Sequence, residues 1–375
     1  MSKLPHVGTT IFTTMSKLAN DTGAINLSQG FPNFSVNPIL VDILRENASK
    51  NVHQYMPMTG FPDLLSKIGG LIESSYGRKV DPSAELLITA GATQGIFTTI
   101  LALVGQEQEV VVLDPSYDCY EPTIILAGGK AKRIPLTSDF LPDWGLIHAT
   151  VNDSTRMLII NSPHNPSGRL WKKEDIDSLE SLMIQYPNLL LLSDEVYEYI
   201  TFEQKHISIN SLPAIIDRSI IISSFGKTFH ITGWKMGYLV APKNLMTEIN
   251  KVHQFNVFSV NSVAQASLST YLDHVDVSTL GAFYQEKRDL FQKLMAPSRF
   301  KLLPCEGTYF QTVDYSAISY LNDVEFCRQL AIDHGVAAIP VSVFNASEKD
   351  QKIIRFCFAK DDETLIKASE LLCKI

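Results

Sequence analysis

From about residue 63 onward the chain alternates between helix-like amphipathic segments and short apolar runs, which fall at 85–89, 110–113, 157–160, 189–193, 219–223 and 238–240. Runs of this length, apolar on both faces, predict the strands of a largely parallel sheet covered by helices on either side, an α/β architecture. Each run ends in polar or Gly/Pro-rich residues, and in open α/β sheets the carboxyl ends of strands are where ligands bind. From about residue 275 the pattern changes. A charged helical segment at 285–295 precedes apolar runs at 300–303, 307–314 and 353–358 and a closing helix, which reads as a smaller α+β domain. The expected division is an N-terminal arm joined to the small domain (1–35), a large ligand-binding domain (36–274) and a C-terminal small domain (275–375). The sequence contains no internal repeat, low-complexity tract or long linker.

A chain of 375 residues with 45% hydrophobic and 19% charged residues has enough apolar material for a large core. Its net charge of −8 and pI near 5.6 speak against nucleic acid or an anionic membrane as a partner, since either would select a basic face. The most apolar tracts have strand length rather than membrane-spanning length, and residues 1–20 lack a compact apolar signal core, so a cytoplasmic protein is expected. Five cysteines, odd in number and without a Cys-x-x-Cys pair, read as reduced packing residues. Nine histidines show no metal-ligand spacing, and no metal is expected.

Candidate chemistry concentrates at 223–238, where Lys227 and Lys235 lie eight residues apart in a small-residue, Gly-rich setting. Gly226-Lys227-Thr228 imitates the end of a phosphate-binding P-loop, but the glycine required five residues earlier is replaced by Ile221. Taken alone, the stretch reads either as a turn with two solvated lysines or as a division of labour. In the second reading one lysine loses its proton near neutral pH and forms a Schiff base with an aldehyde cofactor, while the other stays charged against a phosphate. Pyridoxal phosphate requires that combination.

Residues elsewhere supply matching partners. Asp194 directly follows an apolar run; it is either a strand-end helix cap or a buried acid that keeps a pyridinium nitrogen protonated. Tyr197 and an asparagine from the Asn161-to-Gly168 loop, itself readable as a rigid turn, are placed to hydrogen-bond a phenolic oxygen. Gly91-Ala92-Thr93-Gln94-Gly95 stands between a strand and a helix start, where backbone N–H groups and the helix dipole favour an anion. Lys235, Ser224 and Thr93 would complete that phosphate cup, and Tyr117 is either core or a stacking partner for the ring. Arg355 lies in a strand-like run where a charge is costly unless paired; it suits bidentate recognition of a carboxylate or, at a sheet edge, solvent.

With these residues in order, the chain resembles the fold-type-I pyridoxal phosphate aminotransferases of class I. The resemblance rests on Ser-Gln-Gly-Phe-Pro at 28–32, Gly-Ala-Thr at 91–93, Asn-x-Pro-x-Asn-Pro at 161–166, Asp-Glu-Val-Tyr at 194–197, Ser-x-Gly-Lys at 224–227 and Gly-Trp-Lys-x-Gly at 233–237, and it covers essentially the whole chain. Segments 113–117 and 305–310 are most similar to the methionine aminotransferase subgroup, with the kynurenine/glutamine aminotransferases as relatives. The resemblance implies a homodimer that transfers an amino group from methionine, or from aromatic amino acids or glutamine, to a 2-oxo acid; a cysteine-conjugate β-lyase reaction is the alternative on the same cofactor. It implies Lys227 as the Schiff-base lysine, Asp194 on the pyridine nitrogen, Asn165 and Tyr197 on the phenolic oxygen, and Tyr117 on the ring. Ala92, Thr93, Ser224 and Lys235 would hold the phosphate, joined by Tyr55 of the second subunit. Arg355, Asn165 and Gly30 would meet the substrate's α-carboxylate end.

For the side chain, Phe12, Phe31 and Phe258 suggest an apolar, sulfur-tolerant pocket, although each singly also reads as core. Where relatives acting on aromatic substrates carry Phe-His, this chain has Phe258-Ser259, and no arginine occurs between Lys251 and Thr270 to pair a second carboxylate.

Overall fold

The computed structural model describes residues 2–347 and 349–375. Its centre is a seven-stranded sheet in the spatial order Leu86–Thr89, Gly237–Val240, Ser219–Ser223, Leu190–Asp194, Thr155–Asn161, Glu109–Asp114, Lys130–Pro135. Gly237–Val240 runs antiparallel to both neighbours and every other pairing in the sheet is parallel. Four of these strands, Leu86–Thr89, Leu190–Asp194, Ser219–Ser223 and Gly237–Val240, are buried at every position, as expected of runs covered on both faces. Burying each Leu, Ile or Val of such a run contributes roughly 1.5–3 kcal/mol, before the entropy of ordering is set against it.

The apolar runs read from the sequence thus become strands, with ends shifted by one or two residues. Lys130–Pro135 was not expected: it is the sheet edge, and its Lys130-Ala131-Lys132-Arg133 start alternates exposed and half-buried positions. Charged edge positions of this kind block pairing with another sheet.

A second sheet orders Ile339–Pro340, Ile353–Cys357, Phe310–Asp314 and Lys301–Leu302, all antiparallel. Helices Leu280–Met295, Asp323–Asp333 and Asp362–Leu372 accompany it. Near the start of the chain, helix Ile11–Thr22 is capped by Thr10 and stopped by Gly23 at φ +70°, and strand Ile25–Asn26 then pairs in parallel with Val336–Ala337. Residues 27–33 are thereby carried to the place where the two sheets meet, since the Leu27 carbonyl accepts from the Cys357 amide. No helix among the described residues is long and apolar enough to cross a membrane.

Candidate active site

Three strand ends of the large sheet converge on one rim. Gly237 stands opposite Thr89, and Ser223 opposite Tyr238. Because Gly237–Val240 runs backwards, it presents its amino end at the rim where its neighbours present carboxyl ends. The fit is close: a Cβ on Gly237 would lie 2.8 Å from the Ser223 carbonyl oxygen and 3.0 Å from the Ala92 nitrogen. A cavity of about 160 Å³ opens there, and Ala92, Thr93, Tyr117, Asn165, Asp194, Tyr197, Ser224, Lys227 and Lys235 all line it.

Lys227 stands on the one-turn helix Phe225–Thr228 that follows the buried strand Ser219–Ser223. Its Nζ donates to the Gly30 carbonyl at 3.3 Å and lies 5.7 Å from the ring centres of both Tyr197 and Tyr309. Burial, helped by the nearby positive charges of Arg355 and Lys235, lowers its pKa to about 8.

Asp194 ends the neighbouring strand. One carboxylate oxygen accepts from the Tyr120 hydroxyl at 2.6 Å, the other from the Val196 amide at 3.4 Å. Burial raises its pKa to about 6 against the opposing pull of these hydrogen bonds. It is a carboxylate deep in the protein with neutral donors and no ion-pair partner among the described residues, a costly state unless a cation joins it.

Arg355, on the strand Ile353–Cys357, does not line the cavity itself and is joined to it through Asn165. Its Nη1 donates to Asn165 Oδ1 at 2.6 Å and its Nη2 to the Ser28 carbonyl at 3.1 Å, while Nε has no partner. The guanidinium lies 3.8 Å from the Phe310 ring centre and 5.5 Å from that of Phe12, which fix its plane from two sides. Asn165 is held through its backbone amide by Asn161 Oδ1 at 2.8 Å, and Asn161 in turn donates to the Asp194 carbonyl at 2.8 Å. The Asn-x-Pro-x-Asn-Pro loop therefore connects the buried acid to the arginine.

The third wall suits an anion. Helix Ala92–Leu103 begins after Gly91, whose φ of +77° places it in the left-handed region, and no side chain caps its amino end. Lys235, itself left-handed at φ +54°, lies over that end: a Cβ on Gly91 would stand 3.2 Å from Lys235 Cε. Thr93 Oγ1 and the Tyr117 hydroxyl are 3.1 Å apart at its margin.

Gly30 adjoins the site through its carbonyl, and Phe12 through Arg355. Phe31 does not line the cavity and is 46% exposed. Tyr55 and Phe258 do not line the cavity within one chain. They pack edge-on against each other, ring centres 5.3 Å apart, and are 81% and 45% exposed. Tyr55 lines a separate hollow with His53, Gln54, Ser259 and Asn261.

Tyr120 and Tyr309 escaped the sequence reading. Tyr120 holds Asp194, and the Tyr309 hydroxyl donates to the Gly30 carbonyl at 2.7 Å. The available signal was spacing: Tyr120 is three residues beyond Tyr117, and Tyr309 is inside the quoted 305–310 segment.

The sheet rim brings a lysine, a buried acid and an anion cup to one cavity, with an arginine joined to it through Asn165, and residues 22–372 match the family Aminotransferase class I and II, to which the chain belongs. It is 46% identical over 375 residues to the methionine aminotransferase of Escherichia coli, covering 99% of this chain and 97% of that one. The solved structure of YbdL from Escherichia coli, described as having a methionine aminotransferase function, superposes with a TM-score of 0.97 over 100% of this chain and 99% of its own. Human kynurenine–oxoglutarate transaminase 3 is 32% identical over 96% of this chain and 87% of its length. The protein is thus an aminotransferase of fold type I, and its family implies pyridoxal phosphate.

Proposed function

We propose that this chain is a pyridoxal phosphate-dependent aminotransferase that takes the amino group of methionine, and less readily of aromatic amino acids or glutamine, and passes it to a 2-oxo acid in a ping-pong cycle. The observation that carries the reading is Asp194, a buried acid with no ion pair among the described residues, in the same cavity as the amine of Lys227.

The donor set fits the cofactor. Asp194 would hold the proton of the ring nitrogen and regain the cation it lacks. Tyr197 and Asn165 would donate to the phenolic oxygen; burial keeps the Tyr197 hydroxyl protonated by raising its pKa. Lys235, Ser224, Thr93 and the Ala92 amide would hold the phosphate, and Tyr117 would pack on the ring. When bound, the cofactor supplies an electron sink for the bond broken at the substrate α-carbon.

The protein's own steps follow from geometry. Arg355 and Asn165 bind the α-carboxylate, and the two flanking rings hold the guanidinium plane so that the α-carbon is presented in one orientation. Lys227, half-deprotonated near pH 8, takes the α-proton on Nζ and returns it on the other side of the transfer. Tyr197 and Tyr309, packed with Phe310, flank that amine, each ring centre of the two tyrosines 5.7 Å from Nζ.

Methionine is supported by the Escherichia coli relative and by the absence of a second arginine from 251–270. The kynurenine relative supports aromatic donors as a lesser reading. We read the working form as a cytoplasmic homodimer in which Tyr55 of one copy reaches the phosphate of the other and Phe258 borders the substrate pocket; the exposure of both rings supports a partner surface.

Purified protein supplied with the cofactor should absorb in the near-visible region, lose that band on mixing with methionine, and release a 2-oxo acid that keeps its methylthio side chain. A colourless protein indifferent to added pyridoxal phosphate would overturn the proposal. A cysteine conjugate converted to pyruvate and ammonia faster than methionine is transaminated would replace transfer by elimination. Mixed dimers of Lys227→Ala with Tyr55→Ala should recover activity that neither variant has alone, because one composite site would be intact.

A further inference from the structure

Residues 28–33 run as a strap between Lys227 and Arg355, and three of its carbonyl oxygens each accept from a cationic side chain. Ser28 accepts from Arg355 at 3.1 Å, Gly30 from Lys227 at 3.3 Å, and Phe31 from Lys360 at 2.8 Å. The first two cations belong to the site already described. Lys360 does not.

Lys360 follows the strand that carries Arg355 and is 3% exposed, yet it forms no ion pair among the described residues. Its Nζ lies 5.2 Å from the centre of the Phe31 ring and donates to the carbonyl of the same residue. An ammonium placed out of water without a carboxylate is a poor way to stabilise a fold, because its desolvation is offset only in part by a carbonyl and a ring face.

What the cation holds is more telling. Beyond Phe31 the strap is fixed independently: Asn33 exchanges hydrogen bonds with Asp361, at 2.7 Å from the Asp361 amide and 2.9 Å to its carboxylate. Before it, Gly30 is pressed against the Phe310 ring that supports Arg355, with room for no side chain: a Cβ would lie 2.9 Å from Phe310 Cζ. Lys360 therefore grips Phe31, the exposed residue between these fixed points.

We propose that Lys360 is a positioning residue for substrate selection. By clamping both the carbonyl and the ring of Phe31, it sets the far wall of the apolar side-chain subsite. This rests on the aminotransferase reading given under Proposed function and on Phe31 belonging to the apolar side-chain pocket expected from the sequence. Donors with long apolar side chains feel the clamp, whereas donors too short to reach Phe31 do not.

The test compares methionine with the shorter 2-aminobutyrate in the holoenzyme. Lys360→Met is expected to raise KM for methionine about tenfold, the scale of one lost hydrogen bond from a charged group, with kcat and the 2-aminobutyrate KM changing less than about twofold. Lys360→Arg, which keeps a donor and a cation, is expected to recover most of the loss.

Hydrogen exchange in the cofactor-free protein gives a second reading independent of turnover. The amides of residues 29–31 and 33 should exchange faster in Lys360→Met while Tm stays level or rises. Equal KM increases for both donors, unchanged exchange at 29–31 and 33, or an equal fall in Tm for both variants would overturn the role. A protein that turned over neither donor would count against the proposed function, and the exchange result would still decide the clamp.

Discussion

Three carboxylates lie within five residues, Asp194, Glu195 and Glu198, all buried, yet their surroundings differ in kind. Glu195 and Glu198 occupy a closed network. Glu195 accepts from the Ser193 hydroxyl at 2.9 Å and the Ile209 amide at 3.0 Å, and faces His206 at 2.9 Å. Glu198 accepts from the hydroxyls of Tyr76 and Tyr238. Asp194 lines the cavity, with one hydroxyl and one long amide contact. Burial alone therefore does not mark a functional acid. What separates Asp194 from its neighbours is capacity left open toward a cavity, against capacity filled by the fold.

The sharpest way to break this contrast is Glu195→Ala, which strands His206 and two donors in the core. Unfolding should become easier by about 3–5 kcal/mol in denaturant titrations, with activity per folded molecule little changed. Asp194→Asn should do the reverse: kcat/KM should fall roughly 10²–10³-fold, as for loss of a preorganised charge, with no loss of Tm. If Asp194→Asn instead unfolds the protein, the acid is structural and the contrast fails.

Glu198 sharpens the comparison through pH. Burial, then the charge of Glu195, raises its pKa to about 7, so the folded state holds this proton more tightly than the unfolded chain does. Its stabilising contribution is fully present below about pH 4.5 and is lost as pH rises to about 7, a change on the order of 3 kcal/mol. Glu198→Gln should flatten that part of the stability profile. The smallest effect is expected from Tyr120→Phe, which removes the hydroxyl on Asp194 and should lower kcat/KM by about 3- to 10-fold while leaving the fold intact.

The sequence singled out Asp194 but not the network of Glu195 and Glu198, and what it left unread in the fold and the site has a physical reason. The buried strands were legible because both faces are covered and their residues are uniformly apolar; Lys130–Pro135 was not, because an edge strand carries the charges of a surface. The direction of Gly237–Val240 was equally hidden, since a short apolar run reads alike both ways. Asp194, Lys227 and Lys235 stand in local patterns that announce chemistry. Tyr120, Tyr309 and Lys360 act on partners 74, 279 and 329 residues away, and no local pattern encodes that. Tyr55 and Phe258 have pattern without a partner in a single chain.

The backward strand Gly237–Val240 carries one more implication. Lys227 leaves the rim at the end of one strand and Lys235 re-enters it at the start of the next, so the chain between them works as a caliper whose opening is set by residue count. Substituting residues within that span changes its stiffness. Inserting or deleting one would move Lys235 relative to Lys227, a change in spacing that no single side-chain replacement restores.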